Sequence, residues 1–560
     1  MTRTFNLADI FEVVAQAVPD RTAFLCGPQR LSFAQLDERA TRLASALRAQ
    51  GVQRGHHVGI QLHNSAAYLE TFFACCKLGA APVNVNYRYV ADELAYLYRT
   101  LELRVLVHGA GMDDEVVHAA VQAPTLALRV RVGAGGERVE SRAAGDVGSP
   151  AVPCMAYDAL VASGSPQLDD PGRSNDDIFM LCTGGTTGLP KGVMWPHRSL
   201  FMAALGGGGI YFRRPPIAAP EELATLVPSG PALTYFAVAP LMHGAAMWAT
   251  LISLFAGHTV VVNDEPAFDA AHVWDITVRD GVNILSIVGD AMALPLVQAL
   301  EREPGRWNLQ RLMVFGNGGA VFSRHLQDRL KVCLPHIVVS NGLGSSESGL
   351  VGGGDKPVGD KEGLIRITPR PDLAVIDESH QLRTAPGDEG TLARTGYTPV
   401  GYYGDPKKTA ETFVTIEGRL WVLTGDRARI DDNGDFLVLG RGSGCINTGG
   451  EKVFPEEVEE AARRCAAVRD VLVVGLPDER WGQRVTAVVE PEPGQVFDRA
   501  EFDRVCRAHL SGYKVPRTVV MTERIRRSPA GKADYAWAKS FAQAATVGLQ
   551  APAQGALQTP

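Results

Sequence analysis

The sequence has no Cys-x-x-Cys pair, and its nine cysteines are an odd number scattered along the chain. That spacing reads as reduced cytosolic thiols rather than a disulfide frame or zinc site. The adjacent Cys75 and Cys76 lie in an apolar stretch and read as small core residues. A strong excess of charge is also missing. A formal net charge of −7 gives no electrostatic reason to bind nucleic acid or an anionic membrane. Nor is there a long unbroken apolar run. The most apolar stretch, "GAAMWATLISLFAGHTVVVN", is interrupted by His258. It fits a buried helix, a Gly-His turn and a strand better than a membrane span. The N-terminus "MTRTFNLADIFEVVAQAVPD" carries acids within its apolar stretch, so it is no secretory signal. A cytoplasmic protein is expected.

What is present is an alternation of helix and strand over 560 residues, too long a chain for one core. "LSFAQLDERATRLASALRAQG" opens on a Ser32-x-x-Gln35 capping box, keeps helical apolar spacing and stops at Gly51. "HHVGIQL" then reads as a strand, "NSAAYLETFFACCKLG" as an Asn-capped helix and "AAPVNVN" as a second strand. This βαβ unit points to parallel sheets covered by helices. Residues 133–176, rich in Gly, Ser, Pro and charge, read as a surface excursion, and residues 206–231 as a loop insertion. From about 365 short strands and turns follow, including an Asn433-Gly434 hairpin. A helix starting at Pro455 and the strands "VRDVLVVGLP" and "VTAVVEPE" then form a compact α+β unit. The expected fold is α/β. A large N-terminal domain of helix-covered sheets with a small β-rich subdomain spans 1–440, a small mobile α+β C-terminal domain 441–545, and a disordered Ala/Gln/Pro-rich tail 546–560.

The stretch "TGGTTGLPKG", residues 183–192, is not a P-loop, because Gly188 and Lys191 are not adjacent and no hydroxyl follows the lysine. It follows the apolar run "DDIFMLC", so it sits where a strand ends. Glycines there let backbone N–H groups approach an anion, Thr183, Thr186 and Thr187 add hydroxyls, and Lys191 adds a mobile charge. Phosphate binding fits these residues better than a flexible surface turn, but the loop alone does not identify a reaction.

Further motifs follow in order: "APLMH" (239–243), "GNGGAVF" (316–322), "NGLGSSE" (341–347), "LTGDRARIDDNGDFLVLGR" (423–441), "GGEKVFPEEVE" (449–459) and "RSPAGKADY" (527–535). With the loop at 183–192 they resemble, over nearly the whole chain, the adenylate-forming superfamily of acyl-CoA synthetases, adenylation domains and firefly-type luciferases. The resemblance implies ATP and coenzyme A as co-substrates, Mg²⁺ as metal, and an acyl-adenylate intermediate. It implies an ATP/AMP site built from Thr183, Gly184, Gly185, Thr186, Thr187, Gly188 and Lys191. The adenine wall would be Gly318, Gly319 and Ala320, continued by Asn341, Gly342, Leu343, Gly344, Ser345 and Ser346. Glu347 would hold the metal, Asp426 would accept from the ribose hydroxyls with Arg441 nearby, and Lys532 would act on the α-phosphate. Thr187 joins Lys532, Glu347 and His243 in the catalytic set, His243 on the acyl-substrate side, although a buried, hydrogen-bonded histidine is an alternative there. Gly449, Gly450 and Glu451 would line the coenzyme A side, and the hinge position falls on Gly444.

Two positions depart from the family pattern. Gly444 replaces the usual charged hinge residue, and Leu343 stands where many relatives place a tyrosine against adenine. The sequences around both ends of the site look most like actinobacterial synthetases acting on fatty acids and steroid side chains. "MAALGGGG" suits a roomy pocket or equally a mobile loop. The expected substrate is therefore an apolar carboxylic acid of medium or long chain, or a steroid side-chain acid. The partners are this acid, ATP and coenzyme A, with no nucleic acid and no membrane span; a homodimer is compatible with this. The competing readings are an amino-acid or aryl-acid adenylating enzyme loading a carrier protein, a luciferase-type oxygenase, and a non-catalytic nucleotide-binding sensor.

Overall fold

The computed structural model describes residues 3–133, 152–169, 171–184, 190–209, 214–265, 267–320, 322–354, 365–441, 444, 446–448, 451–478, 482–510, 512–527 and 533–547. Strand alternation explains its layering. Phe24, Tyr235 and Val260 point into one apolar cluster, while their neighbours Leu25, Phe236 and Val261 point into another on the opposite face. With a period of two, such strands are covered on both sides. They belong to an eight-stranded sheet, parallel through Thr22–Cys26, Thr259–Val262, Thr234–Ala237, Ile284–Ile287, Val314–Gly318 and Val338–Ser345. A second eight-stranded sheet is parallel through Ile178–Gly184, Ala81–Asn84, His57–Gln61, Leu103–Gly109, Leu128–Val132 and Cys154–Ala156.

Helices Leu7–Ala17, Phe33–Ala49, Ala66–Leu78 and Gly244–Phe255 share one cluster with strands of both sheets, and Phe11 stacks on Phe73 at 4.0 Å. All thirteen residues of Ala66–Leu78 are buried, so its charged side chains need partners. Glu70 meets Arg39 at 2.7 Å and the Tyr157 hydroxyl at 2.6 Å, and Lys77 meets Glu12 at 2.6 Å and Asp37 at 2.8 Å. The Ser32–Gln35 capping box forms in both directions. The expected asparagine cap does not: Ser65 is the N-cap, and Asn64 serves a tertiary role described below. Cys75 and Cys76 are fully buried, and burial pushes both thiols well up.

Residues 365–441 contribute a seven-stranded subdomain, and the Asn433-Gly434 turn joins Arg419–Ile430 to Phe436–Arg441 as read from the sequence. A five-stranded C-terminal sheet carries helices Pro455–Ala462, Arg499–His509 and Tyr535–Val547. That last helix runs two residues into the segment expected to be a tail, because Thr546 is buried and its hydroxyl donates to Ala542 O. The two weakly patterned segments also hold regular structure. Strand Cys154–Ala156 extends the second sheet, and helices Tyr157–Ser163 and Leu223–Ser229 bury Tyr157, Leu160, Leu223 and Val227. Short apolar footprints inside polar sequence were enough to dock them. No helix among the described residues is long and apolar enough to cross a membrane.

Candidate active site

Strands Ile178–Gly184 and Pro190–Pro196 pair antiparallel, with Thr183 opposite Lys191 and Gly184 opposite Pro190. The tip residues Gly185, Thr186, Thr187 and Gly188 lie outside the described residues. Asn84 anchors the base of this hairpin: its Oδ1 accepts from Cys182 N at 2.6 Å while its amide donates to Met242 O. Asn64 clasps the same 239–243 segment, donating to Ala239 O at 3.0 Å and accepting from Leu241 N at 2.7 Å. The hairpin and "APLMH" are thereby fixed to one another. His243 then caps helix Gly244–Phe255 through its carbonyl, which accepts from Met247 N at 3.0 Å.

The turn carrying Glu347 is held from three directions. Ser345 and Ser348 bond reciprocally, each backbone N–H donating to the other's hydroxyl at 3.1 Å. Trp195, fully buried on the hairpin, donates its indole N–H to Ser346 O at 2.7 Å. Arg394, 3% exposed, donates to Ser348 O and Leu350 O at 2.8 Å each and to Ala203 O at 3.2 Å. A buried guanidinium needs a counter-charge, and Asp372 supplies it at 3.2 Å. Burial opposes ionisation of Asp372, but Arg370 and Arg394 together hold its carboxyl below the usual range.

Tyr402 brings the two halves together. Its strand pairs with the hairpin, Tyr402 opposite Val193, and its hydroxyl donates to Glu347 Oε1 at 2.9 Å. Burial and then the Glu347 charge push the phenol well up, so it remains a neutral donor. The Lys191 ammonium lies 5.9 Å over the same ring and 2.6 Å from Asp405 Oδ2. Lys191 and Glu347, a cation and an anion from motifs far apart in sequence, therefore converge on one tyrosine.

Of the residues expected on the nucleoside side, those at 318–320 and 341–346 lie toward the carboxyl ends of parallel strands, where open α/β sheets bind ligands. Asn317 and Gly318 pair with Asn341 and Gly342. The Asn317 side chain donates to Ala320 O at 2.9 Å and Asn341 Oδ1 at 3.2 Å, and it accepts from Gly289 N at 2.7 Å. Gly319 has φ +84°, which only glycine adopts readily. A Cβ there would touch Ala245, and Ala320 packs against Ala239, Ala246 and Val288, so this wall abuts the His243 segment. Leu343 is half-buried against the subdomain cluster of Val351, Ile367 and Val438. Asp426 is 8% exposed, and its backbone is in register with that of Arg441 on the adjacent antiparallel strand.

Lys532, Gly449 and Gly450 lie outside the described residues. The lysine loop springs from an Arg527–Ala533 bridge whose Arg527 guanidinium is held by Asp470 at 2.8 Å. Glu451 opens strand Glu451–Val453, and its backbone pairs with Thr448. The glycines of "MAALGGGG" are used for packing rather than to open a pocket. A Cβ at Gly207 would strike the Phe201 ring, one at Gly208 the Met202 carbonyl, and Gly209 has φ +82°.

Sequence reading missed Asn64, Asn84, Trp195, Asn317, Arg394, Tyr402 and Asp405. Asp405-Pro406 was a legible helix start. The others carried no local signal.

The AMP-binding enzyme family matches residues 11–403, and the AMP-binding enzyme C-terminal domain matches residues 457–532. A medium/long-chain-fatty-acid–CoA/3-oxocholest-4-en-26-oate–CoA ligase of Mycobacterium tuberculosis is 39% identical over 548 residues, covering 97% of each chain. A 3-oxocholest-4-en-26-oate–CoA ligase of Rhodococcus rhodochrous is 40% identical over 542 residues, covering 95% of each. Among solved structures, an anthranilate CoA ligase in complex with anthranoyl-AMP superposes with a TM-score of 0.82. It is 21% identical, with 98% of this chain and 99% of that one covered, a likeness of fold.

Proposed function

Since the chain belongs to the AMP-binding enzyme family, we propose that it is an AMP-forming acyl-CoA synthetase acting on an apolar carboxylic acid. The single observation that carries this reading is the convergence of Lys191 and Glu347 on Tyr402 at the hairpin. Activation requires two anions to meet, which demands cations and fixed donors. A carboxylate oxygen of the acid attacks the α-phosphorus of ATP, the bond to the bridging oxygen breaks, and pyrophosphate departs. Lys191 and the hairpin amides and hydroxyls hold the triphosphate. The 318–320 wall and strand 341–346 take the base, and Asp426 with Arg441 takes the ribose. Lys532 donates to charge developing on the α-phosphate oxygens.

Among the described residues no group of three or more His, Cys, Asp or Glu side chains could hold a metal by itself. Glu347 supplies one carboxylate, oriented by Tyr402. That donor set fits Mg²⁺, which keeps waters and takes its remaining ligands from phosphate oxygens. When bound there it would neutralise triphosphate charge. Glu347→Gln retains an acceptor for Tyr402 but loses the charge. It is expected to raise the Mg²⁺ needed for half-maximal pyrophosphate exchange by at least about 10–100-fold, the cost of losing a group that hydrogen-bonds a metal ligand. An unchanged Mg²⁺ titration removes Glu347 from the site.

In the second half-reaction the coenzyme A sulfur attacks the acyl carbonyl carbon, AMP leaves, and the thiol proton passes to solvent or base. Gly449, Gly450 and Glu451 are assigned to the coenzyme side, with the C-terminal domain turning at Gly444. A Cβ at Gly444 would lie 3.7 Å from Pro455 Cγ, an ordinary contact. A Cβ would therefore fit in this orientation, and glycine's freedom matters only if the backbone turns.

His243 is assigned to the acyl side. The relatives' substrates suggest a medium- or long-chain fatty acid or a steroid side-chain acid. The expected result is a rise in kcat/KM of up to roughly fourfold per buried methylene along a fatty-acid series, from about 0.8 kcal/mol each. An optimum at acetate or a preference for amino acids refutes the pocket assignment. Pyrophosphate exchange over a carboxylic-acid panel, followed by a coenzyme A thioester assay, tests the whole reading. The proposed compartment is the cytoplasm, where ATP and coenzyme A are supplied. One chain completes the proposed cycle, and a homodimer is compatible with it.

A further inference from the structure

Lys191 is already engaged by an anion. Its ammonium lies 2.6 Å from Asp405 Oδ2, with both side chains only partly shielded, 21% and 32% exposed. The other oxygen of the same carboxylate accepts from Lys408 N at 2.9 Å and caps helix Pro406–Thr412. Asp405 follows the short strand Gly401–Tyr402, which pairs with the hairpin strand bearing Lys191. It thus stands beside the lysine by main-chain pairing rather than by chance side-chain reach.

We propose that Asp405 is a resident counter-anion that holds Lys191 in the ATP-free enzyme and yields it to the triphosphate, so that it sets ATP affinity by competition. This rests on the reading that the hairpin holds the ATP phosphates. The physical case is an exchange of partners. When the lysine leaves, the Asp405 carboxylate keeps its helix-cap bond and its access to water, so its release costs little. A partly exposed ion pair is weak, whereas a triphosphate offers the same lysine several oxygens and more charge. Lys191 and the cap together hold Asp405 below the usual carboxylate range, so it is ionised throughout the neutral range. Without Asp405 the lysine would carry no such competitor before ATP arrives.

Asp405→Asn separates the two roles, because asparagine caps a helix as well as aspartate but carries no charge. The measurement is calorimetric titration of the full-length protein with ATP and Mg²⁺, without acid or coenzyme A, repeated with pyrophosphate. Asp405→Asn is expected to lower both dissociation constants by about 2–5-fold, the scale of a lost surface ion pair. Lys191→Ala should raise them by about tenfold, a typical charge-assisted contact. Adding Asp405→Asn to Lys191→Ala should change nothing further. Asp405→Ser, which also caps, serves as second variant, with melting curves recorded for each. Weaker or unchanged binding in both Asp405 variants, with Lys191→Ala still weakened, overturns the competition alone. No effect of Lys191→Ala overturns the phosphate reading of the hairpin, and this proposal with it.

Discussion

Replacing Lys532 with alanine is expected to slow acyl-adenylate formation by about 10²–10³-fold, the usual effect of deleting one positioned transition-state donor. Thiolysis of chemically supplied acyl-adenylate should be nearly unchanged on the same purified variant. The asymmetry follows from the proposed cycle. The lysine is required while negative charge develops at the α-phosphate, and the C-terminal domain then turns its coenzyme side toward the site. An Arg527–Ala533 bridge, with Arg527 held by Asp470, flanks the lysine segment. Folding should survive, which a melting curve checks. Equal loss in both half-reactions would make Lys532 structural, or would mean that no rotation divides the cycle. Loss confined to thiolysis would reverse its role.

The second large effect is expected at Arg463, where the C-terminal domain meets the large one. Its guanidinium is 6% exposed and lies 3.4 Å from Glu459, 3.6 Å from Asp470 and 3.6 Å from Asp290 of helix Gly289–Arg302. Arg324 N also donates to Glu460 across the same boundary at 3.2 Å. Burial pushes the Asp290, Glu459 and Glu460 carboxyls up, and the Arg463 charge opposes that rise. Arg463→Met leaves these carboxylates buried without their cation, which should cost about 3–5 kcal/mol at pH 8.

The pH dependence has a definite sign. A carboxyl whose folded pKa is raised contributes stability that is present below its unfolded value and lost as pH rises through the folded one. Removing Arg463 raises the folded values further, so the variant loses more on the alkaline side. Its deficit should shrink as pH falls from about 8 toward 5, where the carboxyls take up protons. Denaturant melts at both pH values check this. A deficit independent of pH would mean that lost packing, not charge, explains it.

How much of this was readable beforehand varied with distance along the chain. The capping box at Ser32, the hairpin at Asn433-Gly434 and the buried helix Gly244–Phe255 are local, and each formed as read. Asn64 was misread as a helix cap because a local rule was applied to a residue whose partners, Ala239 and Leu241, lie 175 and 177 positions away. The glycines at 207–209, which suited a roomy pocket and a mobile loop equally, meet a ring and carbonyls where a Cβ would stand. A sequence shows that a side chain is small, but not whether a ring or carbonyl has already filled the room.

The sequence by itself determined the alternation of helix and strand, the order of the motifs and the chemistry each can supply, because those depend on contiguous residues and short periods. Only the tertiary structure decided how those motifs are held against one another. Trp195 grips Ser346 across 151 positions, Tyr402 orients Glu347 across 55, and Asp405 engages Lys191 across 214. Each is a single hydrogen bond or ion pair at about 3 Å; strand pairing within one sheet delivers the last, whereas the first two join two different sheets. No local pattern specifies such a pair, since the same tryptophan, tyrosine or aspartate in the same neighbourhood could serve equally well as core, surface or cap.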